Sequence, residues 1–318
     1  MKAIVYEKYG SPEVLELKEV EMPVPKDNEV LIRIHATAVN SGDVRLRKAD
    51  PFAVRFVFGL MRPKIPILGF SLAGEVEAVG KKVTLFKEGN QVYGTTGMKF
   101  GAYAEYTCLS QDAVLALKPV NLTYKEAAVI PFGGTTALHF LRKAKISNGK
   151  KILIYGASGA IGTAAIQLAK YFGAHVTAVC STTNIEMVRS LGADAVIDYT
   201  KEDFINNGET YDIIMDTVGK SPFAGSVRSL QKNGRYIRVV HIALGPILKG
   251  IWLYMTSSKK VIGGTIKETA AEMVYLKDLI ESGKLKPIID RSYPLEQMAE
   301  AHSYVDKGHK KGNVVITI

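Results

Sequence analysis

Apolar residues follow two rhythms along this chain, and the change between them near residue 122 sets the first division. Up to that point they come in short runs, at 2–6, 15–21, 29–39, 73–79, 91–94 and 102–109. Polar turns such as Gly10-Ser11-Pro12, Lys26-Asp27-Asn28 and Lys87-Glu88-Gly89-Asn90 separate them. Short strands punctuated this densely predict a small barrel-like β domain. Helices are predicted over 124–129 and 135–143. Apolar strands at 151–155, 175–179, 195–197, 211–216 and 234–239 then alternate with helical stretches at 163–172, 186–191, 202–206 and 222–230. Strands without polar alternation are covered on both faces, and intervening helices provide the crossovers, so a parallel, doubly wound sheet is expected. The tail predicts helices over 270–282 and 295–307, closed by Gly283 and Gly308, and a last strand over 313–318. It has too little core to stand alone. The predicted division is one domain from 1–121 and 261–318, and a second from 122–260.

The stretch Tyr155-Gly156-Ala157-Ser158-Gly159-Ala160-Ile161-Gly162 carries the clearest chemistry. A glycine-rich turn between a buried strand and a helix accepts positive φ and lets a phosphate approach the backbone, while the helix start offers free N–H groups. The structural alternative is a glycine turn that only closes a strand–helix corner. The following βαβ series favours a dinucleotide site.

Composition narrows the classes. With 318 residues, 47% hydrophobic and 23% charged, the chain is globular and long enough for two domains. The formal net charge of +10 is uneven: residues 122–260 hold 17 Lys and Arg against 9 Asp and Glu, whereas 1–121 hold 16 against 14 and 261–318 hold 8 against 8. A basic nucleotide half suits a polyanionic small ligand. Nucleic acid is disfavoured, because no aromatic-interleaved basic groove or helix-turn-helix signature accompanies the charge. Cys108 and Cys180 sit in apolar strand contexts and read as free thiols, which fits a cytoplasmic location. Met1-Lys2-Ala3-Ile4 has no signal-peptide layout. The segment 236–255 is apolar but interrupted by Arg238, His241, Pro246 and Lys249, short of the roughly 18 uninterrupted residues of a membrane span.

The chain resembles the medium-chain dehydrogenase/reductase superfamily, in its zinc-independent quinone oxidoreductase (zeta-crystallin-like) branch. Ala38-Val39-Asn40-Ser41-Gly42-Asp43, Gly74-Glu75-Val76-Glu77-Ala78-Val79-Gly80, Gly101-Ala102-Tyr103-Ala104-Glu105-Tyr106, the glycine turn, Leu191-Gly192-Ala193-Asp194 and Asp216-Thr217-Val218-Gly219 carry the likeness. It implies an α/β fold, with a GroES-like β domain plus a Rossmann domain. Zinc enzymes of the superfamily place Cys near Asn40 and Ser41, a His-Glu pair where this chain has Phe70-Ser71, and four cysteines near Cys108. Their absence predicts no zinc.

The same resemblance supplies roles. Asn40 is expected to face nicotinamide and substrate, with a turn-forming Asn as the plain alternative. Arg47 is a catalytic candidate, though Asp43 and Arg47 at i, i+4 equally suit a helix-surface ion pair. His241 is placed to donate to substrate or carboxamide. Thr136, Gly156, Ala157, Ser158, Gly159, Ala160, Ile161, Tyr199, Val218 and Lys311 are expected along the cofactor. The second strand ends Val179-Cys180-Ser181-Thr182-Thr183-Asn184, with no acid for a ribose 2′-OH. The hydroxyls of Ser181 and Thr182 and the Asn184 amide favour NADPH over NADH, although no Lys or Arg stands in that loop. The segments 51–66 and 247–255 read as a substrate lid or as self-packed connectors. Together these readings describe an NADPH-dependent reductase of quinones or α,β-unsaturated carbonyls acting on a small hydrophobic electrophile. The alternatives are an NADP-linked alcohol dehydrogenase and a non-catalytic NADPH-binding or RNA-associated protein. A homodimer is expected by analogy, with strand 261–265 pairing across the two-fold axis.

Overall fold

The computed structural model describes residues 1–240 and 258–318, so His241 and the segment 247–255 lie outside the described residues. In chain order the strands are β1 (Lys2–Val5), β2 (Glu16–Glu19), β3 (Glu29–Val39), β4 (Ser71–Val79), β5 (Gln91–Thr95), β6 (Tyr106–Ser110), β7 (Leu115–Leu117), β8 (Lys151–Tyr155), β9 (His175–Cys180), β10 (Ala195–Asp198), β11 (Tyr211–Asp216), β12 (Leu230–Arg238), β13 (Lys260–Ile262), β14 (Ile289–Pro294) and β15 (Asn313–Thr317). The helices are α1 (Ser41–Lys48), α2 (Val54–Phe58), α3 (Tyr124–Ala128), α4 (Ile130–Lys143), α5 (Ala160–Tyr171), α6 (Ile185–Ser190), α7 (Phe223–Arg228), α8 (Ala270–Glu281) and α9 (Met298–Asp306). Contacts divide them into two units: residues 1–132, 268–283 and 287–318, and residues 133–267 with 284–286.

The first unit is built on a seven-stranded sheet in the order β14-β15-β3-β4-β5-β7, with β6 also on β3. β3 is 11 residues long and serves three partners: it pairs Val30 with Val79 of β4, Val30 with Leu109 of β6, and Val39 with Val314 of β15. Register shifts at 31/32 and 34/36 bend it between them, which is how an open sheet curls into a barrel. The apolar run expected at 102–109 divides here. Residues 103 and 104 meet β1 (the Ile4 N–H donates to the Tyr103 carbonyl at 2.8 Å), and only the later part forms β6. β14 gave no apolar signal, because its side chains are mostly polar and none is fully buried; parallel pairing to β15 makes it a strand. α3 packs on β3 and β4, which carries residues 122–132 into this unit.

The second unit holds a six-stranded parallel sheet, ordered β10-β9-β8-β11-β12-β13. Counting these strands from β8, that is the Rossmann order 3-2-1-4-5-6. Ile152, Leu153, Ile154, Val176, Ala178, Ile213, Ile214 and Met215 are buried, as doubly covered strands require. Among the described residues β13 is the outermost strand at that end of the sheet. α5 starts at Ala160, three residues before the predicted start, because Gly159 takes the N-cap. The helix expected over 202–206 is one 3-10 turn, Phe204–Asn206, capped by the Asp203 side chain.

Candidate active site

Three turns meet at the carboxyl ends of β8, β9 and β11, the edge where open α/β sheets bind ligands. The first is Gly156–Gly159. The Gly156 and Ala157 N–H groups both donate to the Val179 carbonyl, at 3.2 and 3.0 Å, tying the turn to β9. Gly156 has φ +78°, and a Cβ there would lie 2.6 Å from Thr217 Oγ1 and 2.8 Å from Val218 Cγ1. A Cβ on Gly162 would lie 2.3 Å from the Gly156 carbonyl oxygen, so this glycine lets α5 close on its own turn. Gly159 is different. Its φ is −83°, and a Cβ would meet only the Gly156 oxygen, at 3.6 Å. Protein packing therefore accounts for Gly156 and Gly162 and leaves Gly159 unexplained. It caps α5 without a side-chain hydrogen bond, in front of first-turn N–H groups that have no acceptor within the helix. The arrangement fits a pyrophosphate at the positive end of a 12-residue helix.

Neighbouring groups converge on that turn. Asn184 Nδ2 donates to Ser158 Oγ at 3.2 Å and to Ser181 Oγ at 3.1 Å, while its buried Oδ1 has no partner among the described residues. A Cβ on Gly133 of α4 would lie 2.5 Å from the Ala160 oxygen, and Thr136, three residues on, is buried along the same helix. Val218 is held by the buried Asp216, which accepts from the Val218 and Gly219 N–H groups at 3.0 and 2.7 Å and from Ser221 and Tyr236.

Thr182 is engaged within the protein. Its hydroxyl donates to Asp198, at the end of β10, which also accepts from Thr200 Oγ1 at 2.7 Å. These bonds hold the Asp198 carboxyl below the usual range. The expectation that Thr182 donates to a 2′-phosphate is corrected accordingly: with its proton on Asp198, this hydroxyl can only accept. Asp198 escaped the reading because it comes from the neighbouring strand, where parallel register sets it beside Cys180. Beyond it, Tyr199 and Thr200 line a cavity of about 330 Å³ together with Lys201, Lys220 and Tyr155. The cations missing from the 180–184 loop stand there.

In the first unit, Asn40 is the N-cap of α1. Its backbone N–H donates to Asp43 Oδ2 at 2.9 Å. It is 2% exposed, and its side-chain Nδ2 is buried with no well-formed hydrogen bond among the described residues. A buried donor without a well-formed hydrogen bond costs about 1–3 kcal/mol, and the acceptor close to this amide is the Asp43 carboxyl, whose charged form it favours. Asp43 lies beneath it, with burial pushing its carboxyl up to about 7. Tyr103 Oη and His302 Nε2 share a 3.1 Å hydrogen bond next to it, and burial with Arg47 nearby pushes His302 down to about 3. Arg47 is fully buried. Its guanidinium donates to the Gly10 carbonyl at 2.7 Å and to Asp306 at 3.3 Å. The surface Asp43–Arg47 pair is thus not formed, and Arg47, expected as a catalytic group, ties α1 to α9 and the 10–15 turn. Lys311 is exposed, with its backbone N–H on Asp290 at 2.8 Å.

The two buried titrating groups have opposite pH signatures. Asp43 binds a proton in the folded chain up to about 7 and in the unfolded chain only to about 3.9, so its contribution is full below that lower value and disappears as pH rises through 7. His302 is neutral when folded down to about 3 but takes a proton when unfolded below about 6.5, so its contribution is lost as pH falls through that window. Each amounts to something on the order of 4 kcal/mol at 1.36 kcal/mol per unit, and the slopes oppose between about pH 4 and 6.5. Their effects on thermal unfolding across pH should therefore offset each other in part in the wild type. Relative to the wild type, the midpoint should rise more steeply with pH in Asp43→Asn and less steeply, or fall, in His302→Gln. Identical profiles in both variants would refute the assignment.

Where zinc enzymes of the superfamily place thiolate and imidazole ligands, this chain has Asn40, Ser41, Phe70 and Ser71. Phe70 packs against Phe100 and Phe132, with centroids 6.5 and 6.0 Å away. Among the described residues no group of three or more His, Cys, Asp or Glu could hold a metal ion. His35 stacks on Tyr124 at 4.3 Å, and both cysteines are free. At positions 40, 41, 70 and 71 the chain offers no thiolate or imidazole.

Known proteins bear on this geometry. A family model described as an alcohol dehydrogenase GroES-like domain matches residues 26–119, and one described as a zinc-binding dehydrogenase matches residues 191–316. A 2-methylene-furan-3-one reductase of Solanum lycopersicum is 39% identical over 328 residues, spanning 99% of this chain and 79% of the relative. A chloroplastic NADPH-dependent alkenal/one oxidoreductase of Arabidopsis thaliana is 35% identical with the same coverage. Among solved structures, the quinone oxidoreductase from Coxiella burnetii superposes with a TM-score of 0.91 at 30% identity, covering 100% of this chain and 99% of that one. The Escherichia coli quinone oxidoreductase complexed with NADPH gives 0.85 at 26% identity, covering both chains fully. A GroES-like unit, a Rossmann unit and these relatives define an oxidoreductase of the two-domain dehydrogenase class. The chain belongs to the medium-chain dehydrogenase/reductase family, in its quinone oxidoreductase branch.

Proposed function

We propose that this enzyme reduces quinones or α,β-unsaturated carbonyls with NADPH and without a metal. The observation that carries the reading is Gly159: a side-chain-free position that packing does not demand, at the mouth of α5. Bound NADPH supplies the hydride. The chain supplies the rest. The first-turn N–H groups of α5, Ser158 and Thr136 hold the phosphates and ribose, and Asn184 locks the Ser158 hydroxyl in place. The Asn40 amide offers its unpartnered N–H to the substrate carbonyl, the role a Lewis acid plays in zinc enzymes. The names of the relatives, an alkenal/one oxidoreductase and quinone oxidoreductases, support a conjugated electrophile over a saturated alcohol. A cytoplasmic homodimer is part of the same proposal, supported by the two free thiols and by β13, outermost at its end of the sheet among the described residues.

NADPH oxidation followed with an enone, a quinone and a saturated aldehyde tests this. Turnover with the first two, at least about 100-fold above the third, is expected, since a discrimination of this size needs distinct interactions in the transition state. Equal rates with the aldehyde, or none with any substrate, would overturn it. Lys201 and Lys220 give the 2′-phosphate its counter-charge. Lys201→Ala should raise KM for NADPH about tenfold and leave KM for NADH unchanged, the loss of one charge-assisted contact. Equal changes for both cofactors would place the phosphate elsewhere.

A further inference from the structure

The segment 51–64 of the first unit has an unusual surface. Among the described residues sixteen large apolar side chains stand exposed, and five of them (Phe52, Phe56, Val57, Leu60 and Met61) fall within ten positions of each other. Their exposures run from 56% at Leu60 to 85% at Met61. The segment is not loose. The Tyr9 hydroxyl donates to the Gly59 carbonyl at 2.8 Å, and the Lys64 N–H to the Phe58 carbonyl at 2.7 Å. Phe58 turns inward onto Phe100, with centroids 5.9 Å apart, and the Arg55 guanidinium lies 4.8 Å from the Tyr9 ring. One side of the segment is thereby anchored, and the five apolar residues are what the anchoring leaves outside.

Within the segment itself the charge has one sign. No Asp or Glu occurs from residue 51 to 74, while Arg62 and Lys64 are exposed and in no ion pair among the described residues. The acid nearest in influence to Arg62 is Glu7, whose carboxylate is already bound by Lys18 at 3.0 Å. Exposed apolar side chains followed along the chain by two cations that form no ion pair among the described residues match a surface that is oily within and anionic outside. A second copy is a poorer occupant, because a two-fold interface uses the same patch on both subunits and would bring two copies of a cation-bearing, acid-free segment together.

We propose that residues 51–64 form a docking face for an anionic lipid bilayer. Phe56, Leu60 and Met61 enter the boundary between headgroups and acyl chains, and Arg62 and Lys64 stay with the lipid phosphates. This is reversible binding at the surface, since no helix among the described residues is long and apolar enough to cross a membrane. It is independent of the reaction proposed above, and its readout involves no turnover.

The test is co-sedimentation of the full chain with vesicles of phosphatidylcholine and phosphatidylglycerol, beside vesicles of phosphatidylcholine alone. Binding to the first, at least about tenfold weaker to the second and weakened by high salt, is expected. The double variants Phe56→Ser/Met61→Ser and Arg62→Glu/Lys64→Glu should each lose about tenfold or more. Their unfolding midpoints are measured alongside, and the charge pair decides the matter where the apolar pair does not fold. No pelleting with anionic vesicles, or unchanged pelleting in the folded variants, would overturn the proposal. So would a dimer of the wild type, in sedimentation velocity, that Phe56→Ser/Met61→Ser converts to monomer, since the face would then belong to a second copy.

Discussion

Gly159→Asp should weaken NADPH binding about a thousandfold while the protein stays folded. A carboxylate at this position has room, because a Cβ meets only one oxygen at 3.6 Å and the backbone conformation is ordinary. Aspartate is also a favoured N-cap, so α5 should be slightly stabilised. The damage falls on the ligand. A negative charge about 4 Å from a pyrophosphate, at an effective dielectric of about 20, costs roughly 4 kcal/mol, which is close to a factor of 10³ in the dissociation constant. Gly162→Ala is the opposite case. Its methyl would sit 2.3 Å from the Gly156 oxygen, and such overpacking costs about 1–3 kcal/mol of stability. Urea unfolding and NADPH titration of the two variants separate the roles: the first loses affinity at unchanged midpoint, and the second loses midpoint. Normal NADPH binding by Gly159→Asp would remove the turn from the site.

The second large effect is expected at Asn40. Asn40→Ala should lower kcat/KM for an enone by about 10²–10³ at saturating NADPH, the usual result of deleting one preorganised donor to a developing oxyanion. Stability should fall only by the roughly 0.5–2 kcal/mol usual for removing an Asn N-cap side chain, because the capping oxygen goes with Nδ2 while the backbone N–H keeps its bond to Asp43. A substantial loss of midpoint with unaltered kinetics would make Asn40 a capping residue only, the plain alternative that its place before α1 allows.

Much of the frame was legible in the residues. β8, β9 and β11 announced themselves because a parallel strand covered on both faces shows an apolar centre without polar alternation, as at 152–154, 178–180 and 213–215. The turn after β8 did so because its glycines are separated by small residues at fixed spacing. Legibility ended where tertiary contact assigns a polar residue its partner. Asp43 and Arg47 sit four apart and look like a surface pair. In the folded chain α9 packs over α1, and the guanidinium goes instead to Asp306, 259 positions away. His302 looked like any residue of an amphipathic helix, yet it lies against Tyr103. Asp198 stands 18 residues beyond Cys180, and only the β9–β10 register sets the two side by side. β14 had no apolar rhythm to reveal it, since its partner strand rather than its own side chains makes it a strand. Period and spacing report what a segment buries, whereas they are silent on which distant group a buried charge will meet.

The destination of the hydride is the most direct test of the account. Protein dialysed against a chelator would receive an enone and NADPH with deuterium at the transferable position of the nicotinamide. The account predicts undiminished turnover to a saturated ketone, with one deuterium on the carbon β to the carbonyl. Deuterium on the carbonyl carbon of an allylic alcohol, or turnover that the chelator abolishes and zinc restores, would contradict it.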